Sequence, residues 1–116
     1  MDADERQFLL TTAWLFTRHG QRTRARTILE ALVEENSQDG VSAAALAELL
    51  LDDGDASRAL DVLRMADFPP ALAHAEAVLE SRALRMLGKE EESMARWHRF
   101  LESKKGASRT WVSETE

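Results

Sequence analysis

The stretch Ala47-Glu48-Leu49-Leu50-Leu51-Asp52-Asp53-Gly54-Asp55-Ala56-Ser57-Arg58-Ala59 decides the fold of this chain. An apolar run breaks at Asp52-Asp53-Gly54-Asp55, and a second apolar periodicity begins beyond it. Aspartates that bond their own backbone, beside a glycine that takes φ > 0 at no steric cost, make a turn between two helices. Small residues, Ala47 and Ala59, flank the turn. The same spelling returns upstream as Ala13, Gly20 and Ala25, and downstream, at an equal interval, as Ser81, Gly88 and Ser93. The chain has only five glycines, so three on one beat set a repeat.

A helix–turn–helix unit recurring about every 34 residues, with small residues at fixed offsets, is the signature of the tetratricopeptide repeat. The expected fold is all-α. Three such repeats, at about 6–39, 40–73 and 74–105, form one domain over 1–105 as a short right-handed superhelix, with a polar tail at 106–116. Two helices cross closely only where the contact residues are small. Ala13 against Ala25, Ala47 against Ala59 and Ser81 against Ser93 are the expected crossings.

The first helix is expected from an Asp4 N-cap, with Gln7 three residues on, to His19. Its apolar stripe reads Phe8, Thr12, Leu15 and Phe16 at i, i+4, i+7 and i+8. The second runs from about Arg22 to Glu35 with Ala25, Ile28, Leu29 and Leu32 inward, and Asn36 to Gly40 is a loop. Helices over Ser42–Leu51 and Ser57–Met65 come next, the latter with Ala59, Leu60, Val62, Leu63 and Ala66 inward. Pro69-Pro70 stops the chain's helical course, and Pro70 suits the first position of the next helix. That helix is expected from Ala71 to Leu87. The last spans about Glu90 to Lys104 with Met94, Trp97, Phe100 and Leu101 inward, and the tail is mobile unless Trp111 docks. Trp97 falls in register with Leu29 and Leu63, and Phe100 with Ala66. With no fourth repeat, this aromatic pair is partly uncovered and forms a second candidate interface.

Composition excludes several classes. The net charge of −6 over 116 residues opposes general binding to nucleic-acid phosphates. No cysteine is present, so disulfides and thiolate metal sites are ruled out. The acidic Met1-Asp2-Ala3-Asp4-Glu5 start does not read as a secretory signal. The most apolar run, Val41 to Leu51, is far shorter than the ~20 residues of a membrane span. A soluble, cytoplasmic protein is expected.

No catalytic constellation is visible. His19, His74 and His98 lie far apart, and no glycine-rich phosphate loop exists. Asp52, Asp53 and Asp55 lack the twelve-residue calcium loop with its closing glutamate. No cofactor, no metal and no enzyme activity are expected. What remains is a surface. In a right-handed stack the first helix of each repeat lines the concave side and leaves one stripe free. That stripe offers Leu10, Trp14, Thr17 and Arg18, then Ala44, Glu48, Leu51 and Asp52, then Val78, Arg82, Arg85 and Met86. Large apolar groups interleaved with arginine suit a groove for a partner helix or extended segment. The expected contacts are Leu10, Trp14, Arg18, Glu48, Leu51, Val78, Arg82, Arg85 and Met86.

The stretches Gln7-Phe8-Leu9-Leu10, Ala13-Trp14-Leu15, Gly20, Ala25 and Ile28-Leu29-Glu30-Ala31-Leu32 resemble the N-terminal repeat of the YscY-type chaperones of bacterial type III secretion. Ser81-Arg82-Ala83, Leu87-Gly88 and Phe100-Leu101-Glu102-Ser103-Lys104 are similar to that family's last repeat. The middle repeat is similar only in pattern, and the Pro69-Pro70 junction departs from the family. The resemblance implies a small cytoplasmic chaperone. It would hold a YscX-type export component as a heterodimer and help bring it to the cytoplasmic domain of the export gate. The YscG-type chaperone, which holds the needle subunit, is the closest rival. An unrelated repeat scaffold is a more distant one.

Overall fold

Three turns in this protein are made by the same hydrogen bonds. The N–H of Gln21 donates to the Phe16 carbonyl, that of Asp55 to Leu50 and that of Lys89 to Leu84, each at 2.8 Å. Between them sit Gly20, Gly54 and Gly88 with φ of 76°, 84° and 79°. This left-handed backbone is the reason for glycine on the beat. The computed structural model describes the backbone of residues 1–115 and the side chains of residues 1–106.

Six α-helices form three hairpins around these turns: α1 (Ala3–Arg18) with α2 (Arg22–Glu35), α3 (Gly40–Asp52) with α4 (Ala56–Met65), and α5 (Ala73–Met86) with α6 (Glu90–Thr115). A single 3₁₀ turn, Pro70–Leu72, leads into α5. The fold is all-helical; among the described residues the nearest approach to a sheet is one isolated parallel bridge, Asp39 with Asp67. Each helix packs chiefly on its neighbours in sequence, and α3 also meets α5. Because α3 is bounded by α2, α4 and α5, its sequence is apolar nearly all round. Leu46, Leu50, Leu51 and Leu63 are the largest fully enclosed side chains.

The expected crossings are all buried: Ala13, Ala25, Ala47, Ala59, Ser81 and Ser93. In the third hairpin the serines close on each other's backbone. Ser93 Oγ donates to the Ser81 carbonyl at 2.7 Å, and Ser81 Oγ to the Ser93 carbonyl at 3.3 Å.

Several local expectations are corrected. The N-cap of α1 is Asp2, not Asp4: Asp2 Oδ1 accepts from the Glu5 N–H at 2.8 Å. The stripe through Phe8 and Leu15 faces outward, at 70% and 44% exposure, while Leu9, Leu10, Ala13 and Phe16 face the core. The crossing at Ala13 fixes that rotation, because only the small residue fits against α2. Gly40 is no loop residue but the first of α3. A Cβ there would lie 2.5 Å from the Asp67 carbonyl oxygen, so the glycine permits close backbone approach. In α6, Met94 and Leu101 are exposed, Trp97 and Phe100 are half-buried, and Ser93 is the enclosed residue. That helix runs on to Thr115 past Lys104, since Gly106 costs only ~1 kcal/mol against alanine in a helix. The docking of Trp111 lies outside the described side chains.

Candidate functional site: the face of the first helices

The first helix of each hairpin brings one side to a common surface. Between α1 and α3 lies a cavity of about 310 Å³, lined by Leu10, Trp14 and Arg18 from α1 and by Glu48 and Asp52 from α3. Ala13 and Leu29 also line it. Between α5 and α6 lies a second, of about 480 Å³, with Val78, Arg82 and Arg85 on one wall and Met94, Trp97 and His98 on the other. The two are joined by a charge. Asp52, on the wall of the first, accepts from Arg82 Nη2, on the wall of the second, at 2.7 Å. That hydrogen bond, first among its causes, holds the Asp52 carboxyl below its usual range.

Trp14 is 56% exposed, and the Arg18 guanidinium lies over its ring at 5.0 Å from the centroid. One turn apart on α1, the pair makes a flat, amphipathic rim worth ~0.5–1 kcal/mol as a cation–π contact. Thus Leu10, Trp14, Arg18 and Glu48 converge on one cavity, and Val78, Arg82, Arg85 and Trp97 on another. Met86 is exposed on α5 but lines neither. Leu51 is removed from the site: it is 2% exposed and belongs to the core. It sits in the last turn of α3, on the side that packs inward. Phe100 packs on Trp97 at 5.5 Å and on His74 at 5.6 Å between ring centroids, and His74 meets Trp97 edge-on at 5.8 Å.

Three polar arrangements were not anticipated from the sequence. Asp39 receives Arg6 bidentately, Nε at 2.7 Å and Nη2 at 2.8 Å, and also caps α3 by accepting from the Ser42 N–H and hydroxyl. These bonds, Arg6 foremost, hold its carboxyl down at about 2. Arg22 and Arg26 of α2 reach Asp52 and Asp53 at 3.2–3.4 Å, so the turn aspartates also serve the preceding hairpin. Arg96, nearly enclosed, pairs with Glu80 at 3.1 Å and Glu76 at 3.7 Å. Burial raises the Glu76 carboxyl, and Arg96 opposes the rise. A signal for this last group exists in the sequence. Glu80 and Arg96 replace Leu46 and Val62 in the repeat register, opposite charges entering an apolar pair of places together.

Among the described residues no histidines or carboxylates gather as a metal site requires, and no helix is long and apolar enough to cross a membrane. Compared with protein-family models, curated proteins and solved structures, the chain gives no match in any of the three.

Proposed function

We propose that this chain is a tetratricopeptide-type chaperone of the kind its sequence resembles, which holds a YscX-type export component in the bacterial cytoplasm. In this reading the three hairpins are three repeats of a right-handed superhelix. The face of α1, α3 and α5 is the groove that takes an amphipathic client segment and helps deliver it to the export gate. The observation that carries the reading is the open cavity at Leu10 and Trp14, flanked by Arg18 and Glu48 and continued through the Asp52–Arg82 pair toward Val78 and Arg85. A large exposed aromatic at a partly apolar cavity is the residue type that dominates binding energy at interfaces, and rim arginines orient a client's carboxylates.

The test is calorimetric titration of the purified chain with a purified YscX-type protein. Trp14→Ala should weaken binding at least tenfold, while Arg64→Ala, on an exposed position of α4, should leave it unchanged. Binding of a needle subunit instead of the YscX-type protein would transfer the chain to the YscG-type reading. Normal binding by Trp14→Ala and Val78→Glu, with loss in Trp97→Ala, would move the client off this face altogether.

A further inference from the structure

The cavity between α5 and α6 lies at a place that the chain covers elsewhere, in part, with its own next helix. Its walls at Val78, Ser81, Glu90 and Trp97 lie two repeat periods after Leu10, Ala13, Arg22 and Leu29, which line the cavity beneath α3. There α3 lays Ala45, Glu48, Leu49 and Asp52 across the first hairpin. One repeat later, the equivalent Leu79 and Ala83 of α5 are buried in the same manner. After α6 no further helix among the described residues arrives, so Met94 is left 60% exposed.

The residues of α1 at the seating positions are Thr11, Trp14, Leu15 and Arg18, and all are exposed. Leu15, at 44% exposure, stands where α3 has buried Leu49. We infer that α1 of one molecule seats in the open slot between α5 and α6 of a second copy, so that the chain associates with itself head to tail.

Charge and polarity select this occupant. Arg22 pairs with Asp52 where α3 seats on the first hairpin; at the junction between copies the corresponding residues are Glu90 and Arg18, the same pair with its signs exchanged. Neither has an ion-pair partner among the described residues. Along the first-helix line, Asp52 pairs with Arg82 inside the chain, and the residues that would meet between copies are Met86 and Trp14, both apolar and both exposed. The Arg6–Asp39 tie becomes His74 against Glu5. Two places have no charge attraction: the Arg58–Glu30 pair becomes Arg24 against His98, and the Arg26–Asp53 pair becomes Met94 against His19. Such an interface joins two different surfaces, and where it continues the stacking of the hairpins within one chain it generates an open series. The inference does not rest on the chaperone reading, because it concerns the chain alone.

Sedimentation velocity of the purified chain over a wide concentration range tests it. The wild type should grow continuously with concentration without a plateau at dimer. Glu90→Arg and Arg18→Glu should each weaken association at least tenfold, by setting like charges opposite each other. An equimolar mixture of the two variants should regain it, since both kinds of junction are then matched. Leu15→Asp should lose association without rescue. Both charge positions are exposed and have no ion-pair partner among the described residues, and thermal melts check that the variants fold. A wild type that stays monomeric throughout overturns the inference, as it would if residues 107–115 or nothing at all occupied the slot. So does a closed dimer indifferent to both reversals, or a mixture that fails to recover.

Discussion

Leu60 and Met94 occupy the same place in consecutive hairpins, yet Leu60 is 4% exposed and Met94 is 60%. The difference lies in the next element of the chain. Helix α4 is covered on its outer side by α5 of the next hairpin, whereas α6, packed on α5 within its own hairpin, has no further helix on its outer side among the described residues. The last hairpin is also chemically distinct, for Glu80 and Arg96 stand where the middle one has Leu46 and Val62. An ion pair there has a desolvation cost that partly offsets its attraction, which an apolar pair does not. A repeat thus carries two kinds of information. The period fixes which side chains meet across a hairpin. The neighbouring hairpin fixes whether the outer side is dry.

The widest gap between the two hairpins should appear on truncation. Leu46→Ala removes a fully enclosed side chain and should cost about 2–5 kcal/mol in urea unfolding. Met94→Ala, at low protein concentration, should stay within about 0.5 kcal/mol of wild type. A comparable loss at both positions would break the contrast and place Met94 under cover in solution.

The first junction between hairpins is tied by Arg6 and Asp39, whereas the second has Gly40 and Ala73 at those places and carries no such pair. Asp39 has its folded carboxyl lowered to about 2, so its contribution is fully present above the unfolded carboxylate range and disappears as pH falls through the folded value. Asp39→Asn should therefore cost ~2 kcal/mol at neutral pH. It should also flatten the loss of stability between about pH 4 and pH 2 seen in acid melts. Equal acid sensitivity in the variant and the wild type would show that the tie does not hold the first junction.

The finest comparison is among the three crossings. Ser93→Ala should cost ~1 kcal/mol by leaving the Ser81 carbonyl without its hydroxyl donor. Ser81→Ala combined with Ser93→Ala restores the alanine pair of the other hairpins, and should return to within ~0.5 kcal/mol of wild type. A double variant weaker than the single one would mean that the third hairpin is spaced for serine.

Legibility in the sequence tracks which forces are local. The three turns can be read because φ > 0 is written in the sequence as glycine, and helix against coil comes from local pattern. The rotation of α1 cannot, since Phe8, Leu15 and Phe16 satisfy a helical stripe as well as Leu9, Ala13 and Phe16 do. Only the crossing with α2 distinguishes them. Leu51 was expected in the groove and lies in the core for a related reason: the enclosure of α3 on three sides is a tertiary fact. Arg6 with Asp39, and Arg82 with Asp52, join residues 33 and 30 apart, distances at which spacing in sequence says nothing about contact. The convergence of Leu10, Trp14, Arg18 and Glu48 is legible because the period aligns α1 and α3 on one side.

The bridge between Asp39 and Asp67 has a mechanical consequence. At the linker end of the hairpins the backbone N–H of Asp67 bonds to the Gln38 carbonyl at 3.0 Å, and Gly40 lets the two strands of chain touch. At the opposite end, beside the glycine turns, the hairpins are joined by exposed pairs of Arg22, Arg26 and Arg82 with Asp52 and Asp53. Salt screens exposed charges and leaves a backbone contact nearly untouched. The molecule is thus built like a hand fan, riveted at one end and held shut at the other by a clasp that ionic strength loosens. Spin labels placed across the Gly20 and Gly54 turns should separate as salt rises, while a pair spanning Gln38 and Phe68 keeps its distance.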